Sequence, residues 1–169
     1  MEIRPLREND AAKYWNLRLE SLQTEPFAFG KAAEEHLATA VEATAIRFRD
    51  MPAHSFNLGA FESGELIGIA TFLRETGLKE KHKGRIYGVY VTPSHRGKRV
   101  GHALIDTVLK KAKADPSLEQ ILISVAAGQK AARHLYRKFG FEVFGTEPRA
   151  LKIGLDYTDE DHMILILGR

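Results

Sequence analysis

The chain has 169 residues, 44% of them hydrophobic, and a formal net charge of +3, so we expect a single domain over residues 1–169 with its own core. The absence of cysteine excludes disulfides and thiolate chemistry and favours a cytoplasmic location. The N-terminus lacks the pattern of a secretory signal and no apolar stretch is long enough to span a bilayer, so no membrane association is expected.

The first third of the chain predicts one strand and two helices. Residues 2 to 6 have the composition of a short strand. Asn9 and Asp10 are candidate N-caps of a helix that ends near Thr24. After a break rich in proline and glycine, apolar residues at helical spacing predict a second helix over residues 31 to 49.

The remainder predicts a sheet interrupted by two helices. Residues 56–61 and 66–73 flank a short glycine-containing turn and indicate a β-hairpin. Strands are also predicted near residues 86–91 and 121–125, each followed by a helix. Two last strands, 141–144 and 162–167, are predicted with a loop that includes Pro148 between them.

Glycine and cationic residues fill the turn after the strand that ends at Val91. Pro93 cannot continue that strand, and helical spacing begins at Val100, so the turn leads directly into a helix N-terminus. Free backbone N–H groups and the helix dipole favour an anion at such a place. The turn therefore predicts a pyrophosphate site, although it matches neither a Walker P-loop nor a dinucleotide fingerprint.

Two segments resemble the GNAT superfamily of N-acetyltransferases. Arg96-Gly97-Lys98-Arg99-Val100-Gly101 is similar to its acyl-CoA motif, Gln/Arg-x-x-Gly-x-Gly/Ala, with Arg99 where glycine is usual. That exchange carries a cost if the position needs a positive φ. The segment 124–141 resembles the family's strand-to-helix segment, with Gln129 in place of asparagine. Both occur in the family's order, and the resemblance covers residues 56 to 167.

The resemblance implies an α/β (α+β) fold and an acetyl-CoA site. The expected fold is a mixed, mostly antiparallel sheet of about seven strands flanked by about four helices, with a splayed pair of parallel strands. It implies acetyl-CoA as co-substrate and no metal. The expected cofactor-binding residues are Val89, Tyr90, Val91, Arg96, Gly97, Lys98, Arg99, Val100, Gly101, His102, Gln129, Ala132 and Tyr136.

The implied reaction is direct transfer of acetyl to a primary amine in a ternary complex. By resemblance the Tyr136 hydroxyl is the general acid that protonates the leaving thiolate; the alternative is a structural helix aromatic. The base stays open: Glu75 is one candidate and is equally a solvated loop acid, and Tyr87 is a candidate proton relay. Tyr90 is a further candidate proton relay.

The acceptor is expected to be a small-molecule amine or a peptide amine. Phe27 and Phe29 are candidate apolar walls, and the acids at 25, 34 and 35 are candidates to attract an ammonium group; the carboxylates Glu34 and Glu35 are equally typical of a solvated helix face. A homodimer remains open. Two other functions stay open: a catalytically silent acyl-CoA sensor on the same fold, and a nucleic-acid binder using the lysines near 79–85. Because no aromatic residues interleave those lysines, we expect no nucleic-acid partner.

Overall fold

A computed structural model describes residues 1–168 of the chain. Over these residues seven strands form one sheet in the order β1-β2-β3-β4-β5-β7-β6, and every neighbouring pair except β4–β5 is antiparallel. The strands are β1 Glu2–Pro5, β2 Phe56–Glu62, β3 Glu65–Arg74, β4 Lys83–Val91, β5 Gln120–Ala126, β6 Glu142–Ile153 and β7 Asp156–Ile166. The helices are α1 Ala11–Thr24, α2 Ala33–Leu37, α3 Val41–Arg49, α4 Val100–Lys113 and α5 Lys130–Lys138. The predicted mixed sheet is confirmed.

Helices cover both faces of the sheet. On one face, Leu104, Ile105 and Val108 of α4 are fully buried in the main core. On the other face, Tyr14 and Leu17 of α1 pack in a second cluster that includes strand residues. Helix α4 therefore buries the apolar stripe that its sequence periodicity indicates.

The parallel strands β4 and β5 separate partway along their length. They pair only from Lys83 to Ile86 of β4, opposite Gln120 to Ile123 of β5. Beyond that point β4 contains a bulge at its border with β3, where Gly88 has φ +59°. A bulge bends its strand and re-aims the side chains that follow. The predicted splayed pair is thereby confirmed, and its opening forms the floor of the site described below.

The single helix predicted over residues 31 to 49 is wrong, which raises the number of helices in the described residues from four to five. The chain forms α2 and α3 with a break between them. At the break the Thr39 carbonyl accepts a hydrogen bond from the Trp15 indole N–H at 2.8 Å. The His36 ring also bonds the Trp15 carbonyl at 2.9 Å. These contacts with α1 override the local helical pattern.

The loop predicted around Pro148 is also wrong. Strands β6 and β7 form a long hairpin, and Pro148 lies in a register shift between Glu147 and Leu151, where it needs to donate no ladder hydrogen bond. Arg149 takes φ +54° there, and its N–H donates to Asp159 Oδ1 at 2.8 Å. A bulge thus accommodates the proline that the sequence pattern indicated as a strand breaker.

Asp10 stands at the N-cap position of α1, but its carboxylate serves a different contact from the predicted cap. It accepts two hydrogen bonds from the Arg4 guanidinium, at 2.7 and 2.8 Å, and one from the Arg7 N–H at 2.9 Å. These bonds tie β1 to the start of α1. The Arg4 guanidinium is the main reason that the pKa of Asp10 lies below its ordinary value, and burial opposes that shift.

Replacing Asp10 by Asn is expected to lower the free energy of unfolding by about 2 kcal/mol at pH 7, because it weakens a partly buried charged pair. A depressed folded-state pKa stabilises above the unfolded-state pKa and is lost as pH falls through the folded value. The difference from the parent should therefore shrink at acid pH in urea titrations. Asp50→Asn is the matched control, since Asp50 pairs with Arg49 on the open surface and should show no measurable change. Equal losses in both variants would contradict this assignment.

Candidate active site

The splay of β4 from β5 opens a cleft of about 440 Å³. We call it the central cleft. It lies within the range typical of small-molecule sites. Its β4 wall includes Tyr87, Gly88 and Val89, and its β5 wall runs from Leu122 to Ala126. Gln129, just before α5, and Ala132 and Tyr136 of α5 complete the lining described here. Main-chain groups of β4 beyond Ile86 have no ladder partner in β5 and face this opening. Such groups can bind an extended, amide-rich ligand.

The turn before α4 has the backbone geometry of an anion site. Gly97 has φ +76° and Arg99 has φ +63°, and the first helical hydrogen bond is donated by the Ala103 N–H to the Arg99 carbonyl. The amide groups ahead of Ala103 at the helix start therefore have no intrahelical acceptor. The backbone at Arg99 lies in the left-handed region of φ and ψ. Glycine adopts this conformation without strain, whereas an arginine adopts it at some cost. The Arg99 side chain lines a groove shared with His102 and α5.

Two predicted cofactor residues meet at Glu25, in the segment after α1. Arg96 Nη1 lies 2.8 Å from Glu25 Oε1, and Gln129 Nε2 donates to Glu25 Oε2 at 3.0 Å. Arg96 Nε also donates to the Val91 carbonyl at 3.2 Å. Glu25 thus connects the turn before α4 with the start of α5, instead of leaving its carboxylate free to attract an ammonium group.

Helix α5 is held in place by a buried carboxylate on β7. Arg133 Nη1 lies 2.6 Å from Asp161 Oδ2, and Thr146 donates to the other carboxylate oxygen at 2.7 Å. Arg133 also donates to the Ala127 carbonyl at 2.8 Å. This network fixes the helix that carries Tyr136 into the central cleft. No local sequence pattern indicates this role for Asp161, because the contact joins elements far apart in the chain.

Tyr136 lines the central cleft with a ring that is 5% exposed. Burial raises the pKa of its hydroxyl above the ordinary tyrosine value, so it stays protonated at neutral pH. A protonated hydroxyl at this wall can donate a hydrogen bond to a developing anion. The arrangement suits the acid role expected for it.

The other catalytic candidates lie in different environments. Tyr87 lines the cleft, and burial is the main reason that the pKa of its hydroxyl is raised. Glu75 forms an ion pair with Arg85 at 2.9 Å and is not among the described residues that line the cleft. Tyr90 points into the core beside α1, where its hydroxyl bonds Glu20 Oε1 at 2.9 Å. Tyr90 can therefore contribute only its backbone to a ligand in the cleft.

Sequence reasoning missed Glu160 of β7. Within residues 1–168 it is the one carboxylate that lines the central cleft. Burial is the main reason that its pKa is raised; Glu147 raises it further and His162 opposes the shift. Glu160 lies in a segment predicted as loop, and only the extended β6–β7 hairpin brings it opposite Ala126.

Of the four residues expected to bind the acceptor, one lines the central cleft and three do not. Phe29 lines the central cleft, whereas Phe27, Glu34 and Glu35 are not among the described residues that do so. Glu35 Oε2 instead accepts a hydrogen bond from the Ala32 N–H at 2.8 Å, at the start of its own helix. Glu35 therefore serves a local contact and Glu34 is exposed outside the cleft lining, so the expectation that they attract the substrate ammonium finds no support in the cleft.

The sequence predicted no metal site and no membrane-spanning segment, and the described residues bear on both expectations. Ligand atoms of Glu147, Glu160 and His162 lie within 4.8 Å of one another, although the sequence showed no paired spacing of histidine and acids. Glu147 is exposed, His162 bonds both Glu147 and Ser124, and we assign no ion to this cluster. Over residues 1–168 no helix is long and apolar enough to cross a membrane.

The family model for GNAT acetyltransferases matches residues 16–141. The chain belongs to the GNAT family of acetyltransferases. The match includes the turn before α4 and nearly all of the central cleft, so the GNAT assignment covers the geometry described above. It ends before Glu160.

Solved GNAT structures share the fold. An acetyltransferase of the GNAT family from Streptococcus pneumoniae superposes with a TM-score of 0.89 at 22% identity, covering 98% of this chain and 99% of that one. A GNAT superfamily phosphinothricin acetyltransferase from Sinorhizobium meliloti, solved in complex with acetyl-CoA, gives a TM-score of 0.85 at 19% identity, covering 99% of this chain and 88% of that one. At these identities the likeness establishes the fold.

A curated relative is similar over a shorter stretch. The L-methionine sulfoximine/L-methionine sulfone acetyltransferase of Pseudomonas aeruginosa is 30% identical over 88 residues, which is 52% of this chain and 50% of the relative. The match thus spans half the length of that protein.

Proposed function

We propose that the chain is an N-acetyltransferase, acting as a single domain, that moves acetyl from acetyl-CoA to a primary amine. The central cleft carries this proposal, because one opening in the sheet combines free β4 main chain with Tyr136, and the turn that follows the end of β4 has the backbone geometry of an anion site. A thioester laid along β4 would place its reacting end beside Tyr136. No observation favours a catalytically silent sensor over an enzyme.

The residues of the site fit the parts of acetyl-CoA. The turn 97–102 and its cations would hold the pyrophosphate, and the unpaired β4 main chain would bind the pantetheine amides. A second groove of about 400 Å³, lined by Arg99, His102 and Lys138 among others, lies between the start of α4 and the length of α5. It offers the nucleotide end a place with positive charge.

Acetyl-CoA supplies the acetyl group as an activated thioester. The amine nitrogen attacks the carbonyl carbon, the C–S bond breaks, and Tyr136 gives its proton to the departing thiolate. Glu160 accepts the proton that the substrate ammonium must lose, directly or through water. Backbone N–H groups near Val89 stabilise the oxyanion. Since the chain has no cysteine, transfer is direct rather than through a cysteinyl acyl-enzyme.

A screen for CoA thiol release tests this proposal. Purified protein with acetyl-CoA is tested against amino acids, polyamines, aminoglycosides and N-terminal peptides. The amino-acid derivatives in the name of the curated relative support including small amines first. Release with at least one amine, together with acetyl-CoA binding by calorimetry, is the expected result. Binding without turnover on any amine would favour the silent module instead.

Replacing Glu160 by Gln is expected to lower kcat/KM by about 100-fold at neutral pH, because a general base typically contributes at least that factor. The base works when deprotonated, so activity should rise with pH through the pKa of Glu160, which burial and Glu147 raise. This acid limb should disappear from the pH–rate profile of the variant.

Glu147→Gln is the matched control for the base. It removes the neighbouring carboxylate that raises the pKa of Glu160, so the acid limb should move to lower pH while turnover is kept. An unchanged limb in Glu160→Gln would exclude Glu160 and return the role to Tyr87 or to water.

A further inference from the structure

Three cationic side chains on the acceptor side of the site lack a carboxylate partner. Arg18 of α1 and Lys31 line both the central cleft and an adjoining pocket of about 250 Å³, and Arg47 of α3 lines that pocket. We call the smaller cavity the α1–α3 pocket. Among residues 1–168, none of the three has a carboxylate oxygen within ion-pair distance. By contrast, Arg74, Arg85 and Arg133 are all ion-paired.

The Arg18 guanidinium is held at the cavity by neutral contacts. Its Cζ lies 4.3 Å from the centre of the Phe29 ring, and Nη1 donates to Ser21 Oγ at 3.3 Å. Burial is the main reason that the pKa of Arg18 lies below its ordinary value, and the nearby charge of Arg47 lowers it further. Because arginine remains protonated in proteins, a desolvated and uncompensated charge persists there. An anion would relieve this cost.

Arg18 also lies at the reacting end of the cleft. A Cβ added to Gly88, at the β4 bulge, would lie 3.8 Å from Arg18 Nη1 and 4.0 Å from its Cζ. The guanidinium therefore rests against the backbone at the point where β4 leaves β5. Arg18, Glu160 and Tyr136 all line the same central cleft, so one small molecule there can contact all three.

We infer that the acceptor is a small primary amine that also carries an oxyanion, a carboxylate as in an amino acid, which binds the Arg18 guanidinium with Lys31 and Arg47 beside it. The planar fork of arginine matches a carboxylate with two parallel hydrogen bonds. The cations bind the anionic end, and Glu160 faces the ammonium end. The charge pattern disfavours polyamines and aminoglycosides, which are purely cationic. The inference rests on the proposed acetyl transfer and specifies its substrate class.

Matched acceptors test the class of substrate. Each amino acid of a panel is compared with its methyl ester and with its decarboxylated amine, and a phosphorylated amine tests whether another oxyanion suffices. Removing the carboxylate should lower kcat/KM by about 10- to 100-fold, the range expected for a lost hydrogen bond between charged groups. Equal rates for the acid, the ester and the amine would overturn the inference while leaving acetyl transfer intact. A preference for the phosphorylated amine over every amino acid would overturn the assignment of a carboxylate.

Variants assign the effect to Arg18. Arg18→Gln should raise KM for the amino acid by about 10- to 100-fold, leave the ester nearly unchanged and leave acetyl-CoA affinity intact. Arg47→Gln should weaken binding less, since Arg47 lies only in the α1–α3 pocket. Arg49→Gln is the control, because Arg49 is two residues away on α3, pairs with Asp50 and lines neither cavity.

Stability separates a binding role from a structural one. Arg18→Met keeps a long unbranched side chain beside Phe29 and removes the uncompensated charge, so its melting temperature should equal or exceed that of the parent. If Arg18→Met and Arg18→Gln both unfold at markedly lower temperature and do not change the preference between acid and ester, Arg18 is structural and the inference fails. Loss of thiol release with every acceptor in the parent protein would instead disprove the proposed function.

Discussion

Gly101→Glu is expected to abolish measurable acetyl-CoA binding, a loss of at least about 100-fold in affinity from placing a carboxylate where the helix dipole and free N–H groups attract an anion. Gly101 lies in the first turn of α4, directly after the cationic turn. Calorimetric titration with acetyl-CoA and with desulfo-CoA is the measurement. Heat of binding equal to that of the parent would remove the turn from the site.

Two companion variants separate charge from bulk at Gly101. A Cβ there would lie 3.5 Å from Leu135 Cδ2 and 3.8 Å from Val91 Cγ2, which are ordinary contacts. Gly101→Ala should therefore fold and bind nearly as well as the parent. Gly101→Gln has the bulk of glutamate without its charge, and it should fall between the two. Equal loss in the Gln and Glu variants would mean that space, not electrostatics, decides.

Local patterns in the sequence were sufficient to predict the strand, turn and helix that precede and form the start of α4. The turn before α4 combines glycine, cations and a helix start within a few residues, so its chemistry can be read without long-range contacts. The predicted splay of β4 from β5 is confirmed by pairing that stops at Ile86. The concern over Arg99 was also well placed, since φ is +63° there.

The acceptor half could not be predicted in the same way. Glu160 enters the central cleft only because β7 pairs with β5 across a long hairpin, and a proline in β6 concealed that hairpin. Arg18 lies in an amphipathic helix, and the sequence pattern does not separate it from the other polar residues of that helix. Only its burial without a carboxylate partner distinguishes it. Conversely, Glu25 and Glu35 looked available for a ligand, yet both are engaged by neighbouring groups. Whether a charge is already neutralised is a tertiary property.

Tyr136→Phe is expected to lower kcat by about 100- to 10,000-fold, the range typical of a lost general acid, while acetyl-CoA affinity stays nearly unchanged. Tyr136 is buried in the core and lines the cleft, so removing one oxygen should preserve the packing of α5. Because burial raises the pKa of Tyr136, the parent should show no alkaline loss of activity from its ionisation near neutral pH. Steady-state kinetics with the best amine from the screen, beside calorimetry with acetyl-CoA, measures both quantities.

Tyr87→Phe is the control from the opposite wall. If Tyr87 is a relay, its replacement should lower kcat far less than Tyr136→Phe does. Full activity in Tyr136→Phe would mean that water protonates the thiolate, and a larger loss in Tyr87→Phe would transfer the acid role to β4.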